Sequence, residues 1–338
     1  MEPQPKTSRM TERRPVLSII TVTWNHRAEL GPWLKAMRRC LAESPFAVEC
    51  IVVDNDSADG TAEFVEEALP GARVIRSGRN AGFAVGCNIG MEAARGRYLL
   101  LLNPDAFADA KVFSRMVSFL RRNPRVGALG CTLLHGDGRP QISAYADLSP
   151  LSYLVNQSMF YPIVEAVRKR VLDRMSVPRR PRRVAWLMGA CIMVPRGVYR
   201  QVGGFDPGYF MYSEDADWCR RIRDAGHAVV FHPGLSIHHG QKGSARRAPE
   251  WCFRRLYRSV LVYTHKHLTP GERRTLRLTM LGDMVLRLPA YWLVGLVKPD
   301  RRGAMAERRA SVRRMIRLIL VDDPDLFVDP PPSRSKPA

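Results

Sequence analysis

Short apolar runs alternate with amphipathic stretches through the first part of the chain. Runs rich in Val, Ile and Leu predict buried strands in PVLSIITVTWN (15–25), VECIVVD, RVIRS, GRYLLLL and VGALGCTLL. The stretches between them have helical spacing, which predicts helices in AELGPWLKAMRRCL, TAEFVEEAL, AGFAVGCNIGMEAA and AKVFSRMVSFLRRNP. This alternation over residues 15–134 predicts an α/β fold with a doubly wound, mostly parallel sheet. Ligands bind such sheets at the carboxyl ends of the strands.

The pattern changes after residue 134. Residues 135–183 lack the strand–helix alternation and end in RKRVLDRMSVPRRPRR, which predicts a basic insertion that is mobile or faces a membrane. The alternation resumes in VAWLMGACIMVPRGVYRQVGGF, EDADWCRRIRDAG and HAVVFHPGLSIHH. We therefore predict a disordered N-terminus (1–14), an α/β domain (15–245), a basic helical extension (246–320) and a disordered tail (321–338).

The charge balance points to a polyanionic partner. Lys and Arg number 53 against 32 Asp and Glu, a formal net charge of +21, which suits nucleic acid, an anionic membrane surface or phosphorylated substrates. The basic runs 168–183 and 298–317 are nearly free of the aromatic residues on which nucleobases stack, so a membrane fits better. The apolar run LPAYWLVGLV (288–297) is too short to span a bilayer and favours an interfacial helix.

The compartment is predicted from the N-terminus and the cysteines. The first residues, MEPQPKTSRMTERRP, lack the apolar core of a signal peptide. The seven cysteines are scattered and form no CxxC pair, as is typical of reduced core thiols. We expect a cytoplasmic protein, peripheral on the inner face of the plasma membrane.

Polar residues follow three of the predicted elements and are the candidates for chemistry. Asp105 ends the very apolar run LLLLNPDA, where it is either a turn residue or a ligand for Mg²⁺ or Mn²⁺. Asp54 and Asn55 follow a second buried strand, in a stretch that also suits an ordinary turn. In FMYSEDADWC, Glu214 and Asp215 are either the exposed first turn of a helix or catalytic carboxylates.

Five blocks in this order resemble the family 2 glycosyltransferases of the GT-A fold, most closely their rhamnosyltransferase-like branch. The blocks are SIITVTWN, IVVDNDSADGT, NAGFAVGCNIG leading into LLLLNPD, GACIMVPR…GGFDPGYFMYSEDADWCRRIRDAG, and HPGLSIHHGQKGS. The resemblance covers about residues 15–245. It departs from the family at the metal motif, where Asp-x-Asp is replaced by Asn103-Pro104-Asp105.

The resemblance implies a role for each matching position. Asp105 and His239 would hold the metal, with His238 as the rival because alternation along a strand points the two histidines to opposite faces. Asp215 would be the general base, with Glu214 and Asp217 orienting the acceptor, and Tyr212 and Trp218 would offer ring faces to a sugar. The donor-binding positions would be Thr23, Trp24, Asn25, Asp54, Asn55, Asn80, Gly82, Asn88, Asn103 and Arg221.

The function implied by the resemblance is sugar transfer with inversion. The donor would be a nucleoside-diphosphate sugar such as dTDP-rhamnose, and the acceptor a hydroxyl of a lipid-linked or cell-envelope saccharide. A divalent cation, Mg²⁺ or Mn²⁺, would stabilise the leaving diphosphate. The alternatives are a nucleic-acid-binding protein, motivated by the charge, and a sugar-nucleotide nucleotidyltransferase, for which no Gly-rich basic phosphate loop follows the first strand.

Overall fold

The computed structural model describes residues 14–172, 180–240 and 249–323. The predicted disordered segments 1–14 and 321–338 fall outside these ranges, apart from residues 14 and 321–323. The strands are β1 (Leu17–Thr23), β2 (Val48–Asp54), β3 (Ala72–Arg76), β4 (Tyr98–Leu102), β5 (Ala106–Phe107), β6 (Val126–Leu134), β7 (Pro140–Gln141), β8 (Ala144–Tyr145), β9 (Arg182–Arg183), β10 (Trp186–Leu187), β11 (Cys191–Pro195) and β12 (Ala228–His239). The helices are α1 (Gly31–Glu43), α2 (Thr61–Ala68), α3 (Phe83–Ala93), α4 (Ala110–Arg122), α5 (Pro150–Asn156), α6 (Tyr161–Leu172), α7 (Arg196–Val202), α8 (Glu214–Asp224), α9 (Pro249–His267), α10 (Pro270–Val297) and α11 (Arg302–Val321).

One twisted sheet organises the chain, in the strand order β3-β2-β1-β4-β11-β6-β12-β5. The strands β3, β2, β1 and β4 are parallel, and so are β6 and β12, whereas β11 runs antiparallel between β4 and β6. Apolar side chains cover both faces of the sheet: Ile19 belongs to the cluster packed under α1 and α4, and Ile20 to the cluster under α3 and α8. Burial on both faces explains the unbroken apolar runs, and the predicted doubly wound fold is confirmed.

The sheet brings the polar strand ends to one edge. Thr23 at the end of β1 lies opposite Asp54 at the end of β2, and β4 ends beside them just before Asn103. Because β12 is parallel to β6, its last residue reaches the same edge, where His239 pairs with Ala106 of β5. Asp105 precedes that residue, so the fold places two predicted metal ligands side by side.

The described part of the predicted insertion belongs to the folded domain. Strand β7 pairs with β6, β8 pairs with β10, and Tyr153 of α5 is fully buried. The expectation of a mobile insertion is therefore wrong for the first half of 135–183, whereas its membrane-facing position stays a prediction. Residues 173–179 lie outside the described ranges.

The predicted helical extension is present and packs on the α/β domain. Helices α9, α10 and α11 share a core with α5 that includes Tyr257, Met280 and Met315. Within it, Asp283 accepts hydrogen bonds from the Tyr153 hydroxyl (2.8 Å) and the Arg287 guanidinium (3.0 Å). These two charged residues interrupt the apolar sequence of α10 and form a buried ion pair within that helix. The hydrogen bond from Tyr153 ties the pair to α5.

The run LPAYWLVGLV is the end of a longer helix than the sequence predicted. Helix α10 has 28 residues and continues through Pro289. By length and composition it is long and apolar enough to cross a membrane, and 28% of its most apolar window is buried within the protein. Most of its carboxyl-terminal half, including Trp292 and Leu296, faces outward.

Candidate active site

A cleft of about 580 Å³ lies at the carboxyl edge of the sheet. It is bounded by the ends of β1, β4 and β12, by the start of α8 and by α5. The predicted site residues that line it are Thr23, Trp24, Asn55, Asn80, Gly82, Asn103, Asp105, Tyr212, Glu214, Asp215 and His239. Segments more than 200 residues apart in the chain therefore meet in one space.

An unusual backbone turn delivers the acidic pair to the cleft. Tyr212 and Ser213, directly before α8, have φ values of 70° and 62°, in the left-handed region that side chains other than glycine rarely adopt. Two such residues in succession store strain that the surroundings must offset, as is typical of functional sites. The turn ends with Glu214 and Asp215 as the first two residues of α8, both buried.

Asp215 is held by backbone donors. The N–H of Gly189 donates to its Oδ2 at 2.8 Å and the N–H of Ala216 donates to its Oδ1 at 2.8 Å. Burial raises the pKa of Asp215 to about 6, although these hydrogen bonds favour its ionised form. A carboxyl group with that pKa is mostly ionised at neutral pH and can accept a proton.

Glu214 is in a different state. Burial raises the pKa of its carboxyl group well above the ordinary value, and the neighbouring charges of Asp215 and Asp217 raise it further. Its Oε2 is buried and has no hydrogen-bond partner within the described residues. The raised pKa of Glu214 favours its protonated form beside Asp215, and the two side chains suit different roles.

Asp217 points away from the cleft. Its Oδ2 accepts a hydrogen bond from Arg221 at 2.7 Å and its Oδ1 pairs with His267 of α9 at 2.7 Å. Burial alone would raise the pKa of Asp217, but His267 and Arg221 outweigh that effect and lower it. Arg221 also donates to the carbonyls of Val202 and Gly204. The predicted contacts of Asp217 with the acceptor and of Arg221 with the donor do not fit these positions, since both residues brace α8.

Asp105 and His239 form the candidate metal centre. The Nε2 of His239 lies 3.4 Å from the Oδ1 of Asp105, whereas His238 is exposed and stacks on Phe107. Gln141 fixes the His239 ring: its Nε2 donates to the backbone carbonyl of His239 and its Oε1 lies 2.9 Å from Nδ1. Because Oε1 can only accept, the ring proton sits on Nδ1, and the lone pair of Nε2 faces a carboxylate.

The groups at this centre fit a divalent cation. A lone pair opposite a carboxylate is unfavourable unless a proton or a cation lies between them. The Oδ1 of the neighbouring Asn103 is buried without a hydrogen-bond partner in the described structure. No cluster of three or more His, Cys, Asp or Glu side chains occurs within the described residues. Mg²⁺ and Mn²⁺ are commonly held by one or two carboxylates together with substrate phosphates, a set that Asp105 and His239 would suit.

The loop before α3 is fixed to the loop before α8. The side-chain amide of Asn55 donates to the Oδ1 of Asn80 at 2.9 Å and to the carbonyl of Gly82 at 3.1 Å. Gly82 has φ 91°, and a Cβ there would lie 2.3 Å from the Phe210 carbonyl oxygen, which accepts from the N–H of Phe83. Glycine at 82 is thus required by a close backbone approach, and it lies in the wall of the cleft.

Two predicted donor-binding residues beside the cleft have structural partners instead. Asp54 is buried and accepts hydrogen bonds from the hydroxyls of Thr23 (3.2 Å) and Ser57 (2.6 Å). Asn25, with φ 54°, accepts from the N–H of Ala58 at 2.8 Å. Neither lines the cleft, and both tie the end of β1 to the turn after β2. Their contact with a nucleoside stays a prediction.

Asn88 and Trp218 are also placed away from the cleft. The side chain of Asn88 exchanges two hydrogen bonds with the backbone of Phe205. Trp218 is fully buried, packs edge-on against Phe205 and donates to the carbonyl of Gly203 at 2.8 Å. The predicted sugar contact of Trp218 does not fit this position, because no face of its ring reaches the cleft.

Other aromatic residues line the cleft, and the sequence did not single them out. Tyr145 and Trp186 stack with ring centroids 4.0 Å apart, and Trp251 packs edge-on against Phe210. They offer the apolar ring faces expected of a sugar site. His26 also lines the cleft, and its Nδ1 accepts from the N–H of Trp24. His26 directly follows the quoted block SIITVTWN, which is a signal that could have identified it.

Comparisons with known proteins agree with this geometry. The profile of Glycosyl transferase family 2 matches residues 18–220. The N-acetylglucosaminyl-diphospho-decaprenol L-rhamnosyltransferase of Mycobacterium tuberculosis is 28% identical over 80% of this chain and 91% of its own length. Rhamnosyltransferase WbbL of Escherichia coli is 24% identical over 48% of this chain and 60% of its own length.

A solved structure has the same fold. It is a mannosyltransferase from Pyrobaculum calidifontis in complex with GDP-mannose and Mn²⁺, similar at a TM-score of 0.52 and 16% identity over 92% of this chain and 88% of that one. Together with the family match, this likeness confirms the predicted GT-A fold.

The buried acidic pair predicts a pH-dependent stability. A carboxyl group whose pKa is raised on folding contributes stability at low pH, and that stability is lost as the pH rises through the folded-state pKa. At pH 5 we expect Glu214→Gln to melt at nearly the same temperature as the wild type. At pH 8 we expect the variant to melt at a higher temperature than the wild type, because the glutamine side chain does not titrate. Thermal unfolding at both values measures this. A melting difference that is equal at pH 5 and pH 8 would contradict the assignment of the proton to this pair.

Proposed function

Because the chain belongs to glycosyl transferase family 2, we propose that it transfers rhamnose from dTDP-rhamnose to a saccharide hydroxyl on a polyprenyl diphosphate. The family assignment makes the protein an inverting glycosyltransferase. The observation that carries the proposal is the meeting, in one cleft, of a cation-binding pair (Asp105 and His239) and a buried acidic pair (Glu214 and Asp215). The names of the relatives from Mycobacterium tuberculosis and Escherichia coli support rhamnose, and the former supports a lipid-linked acceptor.

Asp215 is the proposed general base. As the acceptor hydroxyl attacks the anomeric carbon, its proton passes to a carboxylate oxygen of Asp215, while the bond to the diphosphate breaks. Each Asp215 oxygen accepts one backbone hydrogen bond and keeps a lone pair for this proton. The protonated Glu214 donates a hydrogen bond to the acceptor, and a single displacement inverts the anomeric centre.

The donor occupies the opposite side of the cleft. Thr23, Trp24 and Asn55 lie at the strand ends where its nucleoside would bind, and Asn103, Asp105 and His239 lie where its diphosphate would reach. When bound, Mg²⁺ or Mn²⁺ neutralises the charge that develops on the leaving diphosphate. Asp105 and His239 would hold that ion, with Gln141 keeping the Nε2 lone pair of His239 directed at it.

The metal assignment predicts a difference between neighbouring histidines. His239→Gln should weaken Mn²⁺ binding in the presence of dTDP by about 10–100-fold, and Gln141→Leu by a similar factor through loss of ring orientation. His238→Gln is the matched control, since this adjacent side chain is exposed on the other face of β12, and it should bind Mn²⁺ like the wild type. Titration calorimetry with Mn²⁺ measures the affinities. If only His238→Gln lost Mn²⁺ binding, His238 would be the ligand and the assignment of His239 would be wrong.

The base assignment predicts a loss confined to turnover. Asp215→Asn should lower kcat by about 10²–10⁴-fold and leave donor affinity nearly unchanged, because a base acts mainly in the transition state. In the wild type, kcat/KM should rise with pH through about 6, since Asp215 must be ionised. Rates of transfer from dTDP-rhamnose to a lipid-linked saccharide, with donor binding by calorimetry, measure both. Near-full turnover in Asp215→Asn with an inactive Glu214→Gln would make Glu214 the base.

We also propose that the enzyme works on the cytoplasmic face of an anionic membrane. The second half of α10 exposes Trp292, Leu293, Leu296 and Val297. Exposed apolar side chains of α5 and α6, among them Leu151 and Ile163, belong to the segment that Asp283 and Arg287 tie to α10. An apolar face on a protein of charge +21 fits a bilayer surface that attracts cations.

Vesicle binding tests this face. Replacing Trp292 and Leu296 together by Ser should reduce partitioning onto anionic phospholipid vesicles by about tenfold or more, given the apolar area withdrawn from the membrane. Leu278→Ser is the control, because Leu278 is similarly exposed on the first half of the same helix. Co-sedimentation at low and high salt separates the apolar from the electrostatic contribution. Equal binding of the double variant and the wild type would refute this docking face.

A further inference from the structure

One wall of the active-site cleft has no role in the transfer step described above. It is formed by the segment from β8 to the residue after α5, which lines the cleft with Tyr145, Leu148, Ser152, Asn156 and Gln157. This segment is fixed to the carboxyl-terminal extension, because Tyr153 is fully buried and donates to Asp283 of α10 at 2.8 Å. The wall is therefore held in place and can recognise a ligand.

The side chain of Gln157 presents an unsatisfied hydrogen-bond acceptor on this wall. Its Oε1 is buried and has no hydrogen-bond partner within the described residues. The backbone of Gln157 is held on both sides: its N–H donates to the carbonyl of Tyr153 at 2.8 Å, and its carbonyl accepts from Arg287 at 3.0 Å. A buried acceptor without a partner lowers stability. A ligand that supplies an O–H or an amide N–H would satisfy it.

The stacked pair of Tyr145 and Trp186 adds a flat apolar surface to the same cleft. The two residues lie opposite each other in the paired strands β8 and β10, and their rings are 9° from parallel. The indole Nε1 of Trp186 donates to the carbonyl of Ala146 at 2.9 Å, which fixes the ring. Both rings are partly exposed. A flat apolar surface together with a few placed polar groups suits a sugar ring, which has an apolar C–H face and hydroxyls around its edge.

The stacked pair is connected to the proposed base by a short stretch of chain. Strand β10, which carries Trp186, leads directly into Gly189, and the N–H of Gly189 donates to the Oδ2 of Asp215 at 2.8 Å. A Cβ at position 189 would lie 3.5 Å from that oxygen. A sugar stacked on this pair would therefore lie on the Asp215 side of the cleft, where the attacking hydroxyl must be placed.

We propose that Gln157 and the stacked pair of Tyr145 and Trp186 form the subsite for the acceptor sugar that carries the attacking hydroxyl. The sugar ring packs on the aromatic pair, and one of its hydroxyl or amide groups donates to the Oε1 of Gln157. This assignment rests on the proposed function. The same chemistry could come from the sugar of the donor, so the experiments below distinguish the two.

Binding of methyl glycosides of glucose, galactose and N-acetylglucosamine tests the subsite without any transfer reaction. Gln157→Leu should bind the preferred glycoside about five- to tenfold more weakly than the wild type in an NMR titration, because it loses one hydrogen bond. Gln201→Leu is the matched control, the same change at an exposed position of α7 outside the cleft. Equal affinity of the two variants, or no glycoside binding by the wild type, would overturn the proposal.

Thermal unfolding separates a lost ligand contact from a lost structural contact. Because the Oε1 of Gln157 has no partner within the described residues, Gln157→Leu should melt at or above the temperature of the wild type.

The aromatic pair is tested by a separate variant. Trp186→Leu removes one of the stacked rings and should weaken binding of the same glycoside about tenfold. Trp292→Leu is the matched control, because Trp292 is exposed on α10 and does not line the cleft. Unchanged glycoside binding by Trp186→Leu would overturn the role of the stacked pair.

Kinetics and donor binding distinguish the two sources of the sugar. If the acceptor supplies it, Gln157→Leu should raise the KM for the lipid-linked acceptor and leave the affinity for dTDP-rhamnose, measured by calorimetry, unchanged. Weaker binding of dTDP-rhamnose with unchanged glycoside binding would assign the subsite to the donor sugar and overturn the proposal. Glycoside binding that depends on Gln157, in a protein without rhamnosyl transfer, would leave the subsite standing and refute the proposed function alone.

Discussion

The burial of three carboxyl groups within the first turn of α8 is the constraint on which the site depends. A buried charge is costly unless it is paired or hydrogen-bonded, and each of the three is compensated differently. Asp215 receives two backbone N–H groups, Asp217 receives Arg221 and His267, and the raised pKa of Glu214 favours its protonated form. These donors come from the turn before β11, from α8 itself and from α9. The groups that compensate the three carboxyls of this turn thereby connect the sheet and the carboxyl-terminal extension at the cleft.

The fold could be predicted because its strands are buried on both faces. Runs such as LLLLNPD are unbroken apolar segments that end in polar residues, so both the strand and the position of Asp105 at its carboxyl end follow from local pattern. The direction of side chains on α8 was harder to predict. Asp217 is about 200° around the helix from Asp215, and an Arg four residues later already indicated that it would be paired. Trp218 lies nearer the face of Asp215, and only its packing against Phe205 buries it.

Contacts between distant segments account for most features of the site that could not be predicted from the sequence. Gln141 orients His239 across 98 residues of sequence, and nothing in the basic, irregular stretch around Gln141 indicates this. The same stretch supplies Tyr145, which stacks on Trp186 in the cleft wall. The excess of positive charge was equally ambiguous, since it is compatible with nucleic acid, an anionic membrane surface or phosphorylated substrates. The structure shows that five of the basic side chains, all arginines of α9 and α11, line one pocket between those helices.

The buried pair of Asp283 and Arg287 has a consequence for the geometry of the reaction. The pair lies within α10, and its hydrogen bonds with Tyr153, the N–H of Met159 and the carbonyl of Gln157 join α10 to the wall of the cleft. If α10 rests on a bilayer, as proposed, the distance from Asp215 to the lipid surface is set by these contacts. A hydroxyl on the first sugar of a membrane-anchored chain would then reach Asp215, whereas the same hydroxyl several sugars further from the membrane would lie beyond it. The length of the product would then be limited by the distance between Asp215 and the membrane surface rather than by recognition of the sugar itself.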